Sequence, residues 1–433
     1  MTRDILASRA RRSGALLDCK PRSRGNFLPR VLFVSPGYPS EMPHFVRGLA
    51  EVGAEVLGVG DQPLPLLPED VRRVLSGYLR VRSLWEEEAV VAAVATWLDG
   101  REVDRVECLW EPAMILAARV REALRAPGLS VERTVPFRNK ERMKQVLDAA
   151  GIRTPRHAAA SGGRAVRETA ERIGFPLIVK PIAGAGSADT YRVESERELE
   201  SVVGRVEHLD EVSVEEFVDG EEYTFDTIAV AGLPVFHNIA WYRPRPLVAR
   251  TLEWISPQVV ALRETGGAEL AGGVAMGRAV LAALGFECGF THMEWYRKAD
   301  GEVVFGEIGG RPPGAHQVDQ MNFACDIDVF RGWAEAICFG RFSQEVRRLY
   351  NVANVYKRAQ GEGVIERVEG LERFRARHRE AVVWENLLPV GARRRNWRQT
   401  LVSDGFVVVR HPDLAATLAI ADEFGSEVHL FAN

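Results

Sequence analysis

From residue 29 onward, short apolar runs alternate with amphipathic stretches. Val31-Leu-Phe-Val34 reads as a buried parallel strand, followed by a Pro/Ser/Gly loop over 35–40 and a helix through Ala50. Glu55–Val59 is a second strand, and Arg105–Leu109 with a helix over 113–124 repeats the unit. The apolar stretch Ala89–Leu98, interrupted by Thr96, is too short for a membrane span and reads as a core helix. This alternation predicts a doubly wound α/β domain over residues 29–134. No GxGxxG follows its first strand, so nothing there points to a dinucleotide.

The pattern then changes to α+β. Asn139 caps a helix over 140–149, Gly151 ends it, and Pro155 imposes an extended segment. A helix over 165–173 precedes the strand Phe175–Lys180, the loop Gly184-Ala-Gly-Ser187 and a return strand over 189–193. After a helix over 196–206 come strands at 213–218 and 222–230, split by Asp219-Gly220. A helix over 272–284 leads to a hairpin whose arms are 291–297 and 302–308, with Asp300-Gly301 as a two-residue turn. Two lobes are expected, 135–212 and 213–357, followed by a small β-rich lobe over 358–433.

Bulk properties narrow the field. The 433 residues, 46% hydrophobic and 27% charged, suit a multidomain globular protein. A net charge of −4 provides no general attraction to nucleic acid or to an anionic membrane. The five cysteines show no CxxC spacing and read as reduced thiols of a cytoplasmic protein. Residues 1–28 form a basic arm without periodicity, expected to be disordered, and without the apolar core of a secretory signal. Lysine is scarce against arginine, so each lysine carries more information than usual.

The hairpin carries the first chemical signal. With a turn at 300–301, Glu294 falls opposite Glu307, and like charges ~4.5–5.5 Å apart require a cation. A divalent ion with oxygen ligands is the natural candidate, and Arg311 in Gly309-Gly-Arg-Pro-Pro-Gly314 adds an anion-binding charge. His292 shares a strand face with Glu294, as a base, a substrate contact or a plainly hydrogen-bonded residue. Lys180 with Gly184, Gly186 and Ser187 suits phosphate oxygens, although a hairpin loop with a surface lysine accounts for the same residues. Glu215–Glu222 offers backbone and carboxylate groups to a base and ribose, or is a solvated acidic turn. Lys140 opposes the dipole of its own helix, which contact with a phosphate explains as well as simple exposure.

Taken in order, Lys140, Lys180, the glycine loop, Glu215–Glu222, Glu294, Glu307 and Arg311 resemble the ATP-grasp superfamily over about residues 135–330. Within it, Val31–Asp61 and Asn139–His157 resemble bacterial carboxylate–amine ligases of the L-amino acid ligase type. The resemblance implies an N-terminal doubly wound domain, a two-lobed ATP clamp and a small β-rich C-terminal lobe. It further implies that Lys140 and Lys180 meet ATP phosphates, Glu215 the adenine amino group, Glu216 and Val218 the adenine edge through backbone, and Glu222 the ribose. Glu294 and Glu307 would hold one or two Mg2+, and Arg311 the transferred phosphoryl. Gly309 stands where the family often has asparagine, with a carbonyl, water or Asn322 as substitutes.

The implied reaction joins a small-molecule carboxylate to an amine, amino acid-like in one or both partners, through an acyl phosphate with release of ADP and phosphate. Trp241–Arg245 and Arg250 are candidate substrate contacts, and loops 184–190 and 242–256 candidate lids. A bicarbonate-dependent N-carboxylase and a non-catalytic ATP-binding protein remain as alternatives, and a homodimer is left open.

Overall fold

The computed structural model describes residues 28–183 and 189–433. The basic arm, apart from Leu28, and the glycine loop with Gly184, Gly186 and Ser187 lie outside them.

The N-terminal unit is a four-stranded parallel sheet in the order β3-β2-β1-β4: β1 Arg30–Val34, β2 Glu55–Gly60, β3 Leu75–Arg80 and β4 Arg105–Glu107. Helices α1 (Met42–Glu51), α2 (Glu87–Leu98) and α3 (Met114–Leu124) connect and cover it. Val31, Leu32, Phe33 and Val34 are all buried, as a strand covered on both faces requires. The pattern did not disclose β3, a half-exposed edge strand without an apolar run.

Next, α4 (Lys140–Ala149) starts where expected, with Asn139 Oδ1 accepting from the N–H groups of Glu141 and Arg142 at 3.1 and 2.9 Å. A small sheet in the order β5-β8-β6-β7 follows: β5 His157–Ala160, β6 Leu177–Pro181, β7 Tyr191–Val193 and β8 Val212–Glu216. Helices α5 (Gly162–Ile173) and α6 (Glu196–Val206) close its own apolar core. Because β8 pairs with β5 and β6, the small lobe extends past the expected break at 212, to Glu216.

The large lobe rests on a nine-stranded sheet. Its first seven members in chain order are β9 Glu221–Val230, β10 Leu233–Asn238, β11 Ala240–Arg243, β12 Gln258–Ala261, β13 Gly289–Arg297, β14 Val303–Gly309 and β15 Asn351–Tyr356. Helices α7 (Ala268–Ala283), α8 (Gln317–Cys325) and α9 (Val329–Phe339) pack around it. Within 358–433, β16 (Gln360–Gly361) and β17 (Ile365–Glu369) precede β18 (Val382–Leu387) and β19 (Gly405–His411), with α10 (Leu414–Glu427) and β20 (His429–Ala432) at the end. Strands β18 and β19 continue the large sheet beyond β15, so the expected separate C-terminal lobe is joined to it. Only β16, β17 and β20 make a small sheet of their own.

The hairpin corrects one detail. Lys298 and Glu302 close a three-residue loop, with Gly301 at φ +89°, so Asp300-Gly301 is not a two-residue turn. A bulge between Glu294 and Trp295, with Gly306 as the extra residue, shifts the register by one, and Glu294 still faces Glu307. Among the described residues no helix is long and apolar enough to cross a membrane.

Helix α7 shows how tightly the large core is set. A Cβ on Gly277 would lie 2.2 Å from Phe225 Cδ1, and one on Gly273 2.2 Å from Trp295 Cζ2. Gly277→Val is therefore expected to cost at least about 3 kcal/mol by overpacking. Gly204→Ala, on the exposed face of α6 with nothing near it, is expected to gain about 0.5–1 kcal/mol. Urea unfolding of both variants checks the contrast.

Candidate functional site

A cavity of about 630 Å³ opens where the N-terminal unit, the two lobes and the segment 399–402 meet. Lys140, Lys180, Glu215, Glu216, Val218, Glu222, His292, Glu294, Glu307 and Arg311 all contribute to its walls. Residues from five sheet strands and one helix start thus converge, although Lys140 and Arg311 are far apart in the chain.

The lysines and acids arrive from separate elements. Strand β6 carries Lys180 to its end, and its Nζ lies 2.9 Å from Glu215 Oε2. Lys140 opens α4 and places Nζ 3.0 Å from Glu307 Oε1 on β14. The cation required between the hairpin glutamates is thus supplied in part by Lys140 and in part by His292, whose Nε2 lies 3.5 Å from Glu294 Oε1. Tyr242 donates to the same oxygen at 3.3 Å. Burial opposes the charge of Lys180, but Glu215, Glu307 and Glu294 outweigh it and raise its pKa.

Glu215 is enclosed more completely than expected. Its carboxylate receives Lys144, Lys180 and Ser213, with Lys144 and Glu215 both almost fully buried. Lys144, one turn after Lys140 on α4, was not picked out by spacing. Burial disfavours the Glu215 charge, yet Lys144 and then Lys180 hold its pKa well below the usual 4.5. Glu216 turns its side chain outward to Arg153 and Arg156, and its N–H bonds to Arg156 O. Val218 N–H has no intramolecular partner among the described residues, while Val218 O accepts from Arg245 at 2.8 Å. Burial and the charge of Glu294 push Glu222 up to about 8, against the opposing Arg245 3.2 Å away.

Arg245 was expected as a substrate contact, and its position is more specific. Its guanidinium lies between the rings of Phe217 and Tyr296, 4.9 and 4.7 Å from their centroids. A planar cation thus fills a flat slot beside Val218 and Glu222. The rest of that segment divides by strand alternation: Tyr242 faces the cavity, whereas Trp241 bonds Glu221 and Arg243 bonds Asp422. Arg250 also lines the cavity and donates to Arg398 O.

The geometry bears on two expectations. His292 takes the hydrogen-bonded alternative: Nδ1 lies 2.6 Å from Asp226 Oδ1, and despite burial Asp226 and Glu294 lift its pKa to about 9. Lying between two carboxylates, the ring orients Glu294. Asn322 cannot replace the asparagine absent at Gly309, because its Oδ1 accepts from Val329 N–H at 2.8 Å and it does not line the cavity. A side chain at 309 would press on Arg311, with Cβ 3.3 Å from its Cγ.

Arg311 has a partner from the N-terminal unit. Its Nε and Nη2 donate to Glu111 Oε2 at 2.9 and 2.8 Å, and Arg138 binds the other oxygen. Glu111 left no trace in the local pattern, since 200 residues separate the pair. Asp226 was not singled out either, since an acid fits the polar face of an alternating strand over 222–230.

The opposed carboxylates of Glu294 and Glu307 fit a hard cation. Among the described residues no group of three acidic, His or Cys side chains is arranged to hold a metal ion, so further ligands must come from phosphate or water. That division of ligands suits Mg2+, which takes one or two protein carboxylates beside a phosphorylated substrate.

The fold is that of ATP-grasp proteins, and part of the chain matches their family model. An ATP-grasp domain is matched over residues 173–318. The chain is 28% identical over 265 residues to an uncharacterized protein of Sinorhizobium fredii (58% of this chain, 52% of that protein). It is 25% identical over 215 residues to an L-arginine-specific L-amino acid ligase of Bacillus subtilis (48% and 51%). It thus spans about half the length of these two relatives. Among solved structures, an L-amino acid ligase from Bacillus licheniformis superposes with a TM-score of 0.76 at 22% identity, covering 94% of this chain and 99% of the other. An N5-carboxyaminoimidazole ribonucleotide synthetase from Thermotoga maritima gives 0.66 at 17% identity, covering 94% and 100%.

Removing Lys144 isolates part of the buried charge on Glu215. Lys144→Met is expected to destabilise by about 3–5 kcal/mol, and adding Glu215→Gln to recover part of that loss. Since the Glu215 pKa is depressed by folding, its pairing stabilises above about pH 4.5 and is lost as pH falls below it. Urea unfolding from pH 7 to pH 3 should show a shallower acid-side decline in the variant; an unchanged slope would count against the assignment.

Proposed function

We propose that the protein is an ATP-dependent carboxylate–amine ligase that forms an amide or peptide bond through an acyl phosphate, releasing ADP and phosphate. The observation that carries this is the convergence of Lys140, Lys180 and Arg311 with Glu294 and Glu307 around one cavity, each cation already within bonding distance of a carboxylate. Such a set suits phosphoryl transfer, where positioning and charge neutralisation supply most of the catalysis.

Lys140 and Lys180 bind phosphate oxygens, held in place beforehand by Glu307 and by the Lys144–Glu215 pair. Val218 N–H meets the base and Glu222 the ribose, which requires Arg245 to share or leave the slot between Phe217 and Tyr296. Glu294 and Glu307 would hold Mg2+, which would neutralise charge on the phosphates; Asp226 and His292 orient Glu294. The substrate carboxylate attacks the γ-phosphorus beside Arg311, held by Glu111 and through it Arg138, and the bond to the β,γ-bridging oxygen breaks so that ADP leaves with its electron pair. An amine then attacks the acyl carbon, the C–N bond forms, and phosphate leaves with the electron pair of the broken C–O bond. No side-chain nucleophile is needed. Segment 242–256 serves as one wall that keeps water from the acyl phosphate. Amino acids as one or both substrates are the class favoured by the relatives, and the buried thiols of Cys108, Cys325 and Cys338, outside any disulfide, support a cytoplasmic setting.

A screen of amino-acid pairs for ATP-dependent phosphate release, with products read by mass spectrometry, tests the assignment. Glu307→Gln and Lys180→Ala are each expected to lower kcat at least about 100-fold while circular dichroism stays unchanged. Wild-type turnover in either variant would sink the proposal. Phosphate release that depends on bicarbonate rather than an organic acid would instead mark an N-carboxylase.

A further inference from the structure

The cavity continues past Arg311 toward a wall built by Pro39–Met42 and Leu109–Pro112 of the N-terminal unit and by residues 399–402. Glu41 belongs to that wall and is 9% exposed. Its side chain has one hydrogen-bond partner among the described residues, Ser40 Oγ at 3.1 Å, and no cationic side chain pairs with it. It differs in this from the other carboxylates lining the cavity. Glu111 meets Arg138 and Arg311, Glu215 two lysines, Glu216 two arginines, Glu222 Arg245, Glu294 His292, and Glu307 Lys140. A carboxylate this buried without a counter-charge is costly, unless a ligand brings the cation.

The surroundings say what kind of cation. Met42, Leu109, Trp110, Leu401 and Val402 share the wall with Glu41, so an apolar body must accompany the charge. A bare metal ion would find one carboxylate and little else, since no multi-ligand group exists among the described residues. Trp110 also begins a ladder of rings: Tyr38 packs edge-on at 5.5 Å and Trp85 at 5.6 Å, and both are more than half exposed. The apolar surface therefore runs from the cavity outward.

We propose that Glu41 and Trp110 form the subsite for the amine substrate, and that this substrate is a primary amine with an aromatic or long aliphatic side chain. The ammonium group binds Glu41, and the side chain lies along Trp110 toward Tyr38 and Trp85. This inference rests on the ligase reading for its place in the reaction, but its binding test does not.

Calorimetric titration of the full chain, saturated with magnesium and a non-hydrolysable ATP analogue, uses three probes: phenethylamine, propylamine and 3-phenylpropionate. Phenethylamine is expected to bind at least tenfold more tightly than either of the others. Glu41→Gln should weaken it at least tenfold, Glu41→Asp less, and Trp110→Ala should weaken it tenfold while propylamine changes less than twofold. Nucleotide affinity, measured in the same variants, should stay within twofold and so establish that the cavity is intact. Equal affinity for the three probes, no saturable binding of phenethylamine, or indifference to Glu41→Gln would each overturn the subsite. Saturable, Glu41-dependent binding without phosphate release for any acid and amine pair would overturn the ligase reading and leave the subsite standing. Turnover of amines undiminished by Glu41→Gln would do the reverse.

Discussion

The cavity is organised by one constraint: many carboxylates have been gathered in a partly dehydrated space, and each needs a cation. Buried acids cannot stay ionised without partners, so lysines and arginines from separate segments are drawn to fixed positions. Lys144 and Lys180 bracket Glu215, Lys140 reaches Glu307, and Arg311 reaches Glu111. The same contacts that satisfy the acids hold these cations beforehand near where phosphate charge would gather. Stability and preorganisation therefore have a common source, and the side-chain entropy of the lysines is already lost before a ligand arrives.

The sheets explain how the groups meet. The small sheet delivers Lys180 and Glu215 from neighbouring strands β6 and β8, whose register sets Ile178 opposite Glu215 and Lys180 opposite Ser213. The large sheet places Asp226 opposite His292, and Glu294 opposite Glu307, on adjacent strands β9, β13 and β14. Because β18 and β19 extend that sheet, the segment 393–404 is anchored close enough to wall the far end of the cavity. The N-terminal unit adds Glu111 and the wall that includes Glu41. Three bodies of structure thus enclose one space, with a polar charged end and an apolar end.

Legibility followed the range of the interaction. Helix α4 and its Asn139 cap were readable because capping is local, and the pairing of Glu294 with Glu307 followed from alternation about a turn. That pairing survived a wrong turn: a three-residue loop and a bulge at Gly306 cancel each other's register shift. Lys144 looked like any other helical lysine until β8 placed Glu215 against it. Glu111 showed nothing, because its partner Arg311 lies on another domain. His292 was legible as a face-mate of Glu294, but its setting depended on Asp226 across the ladder, which holds the ring by a hydrogen bond.

What the chain determines alone is the order of its elements and the types of charge each carries, since periodicity, caps and turn residues act over a few neighbours. It also disclosed the set of lysines, glutamates and one arginine whose order resembles that of the ATP-grasp superfamily. Which acid meets which base, where the small lobe ends, and which carboxylate is left without a counter-charge were decided only by tertiary packing. The physical reason is that ion pairing and burial depend on distance through space, which side-chain spacing along the chain does not encode.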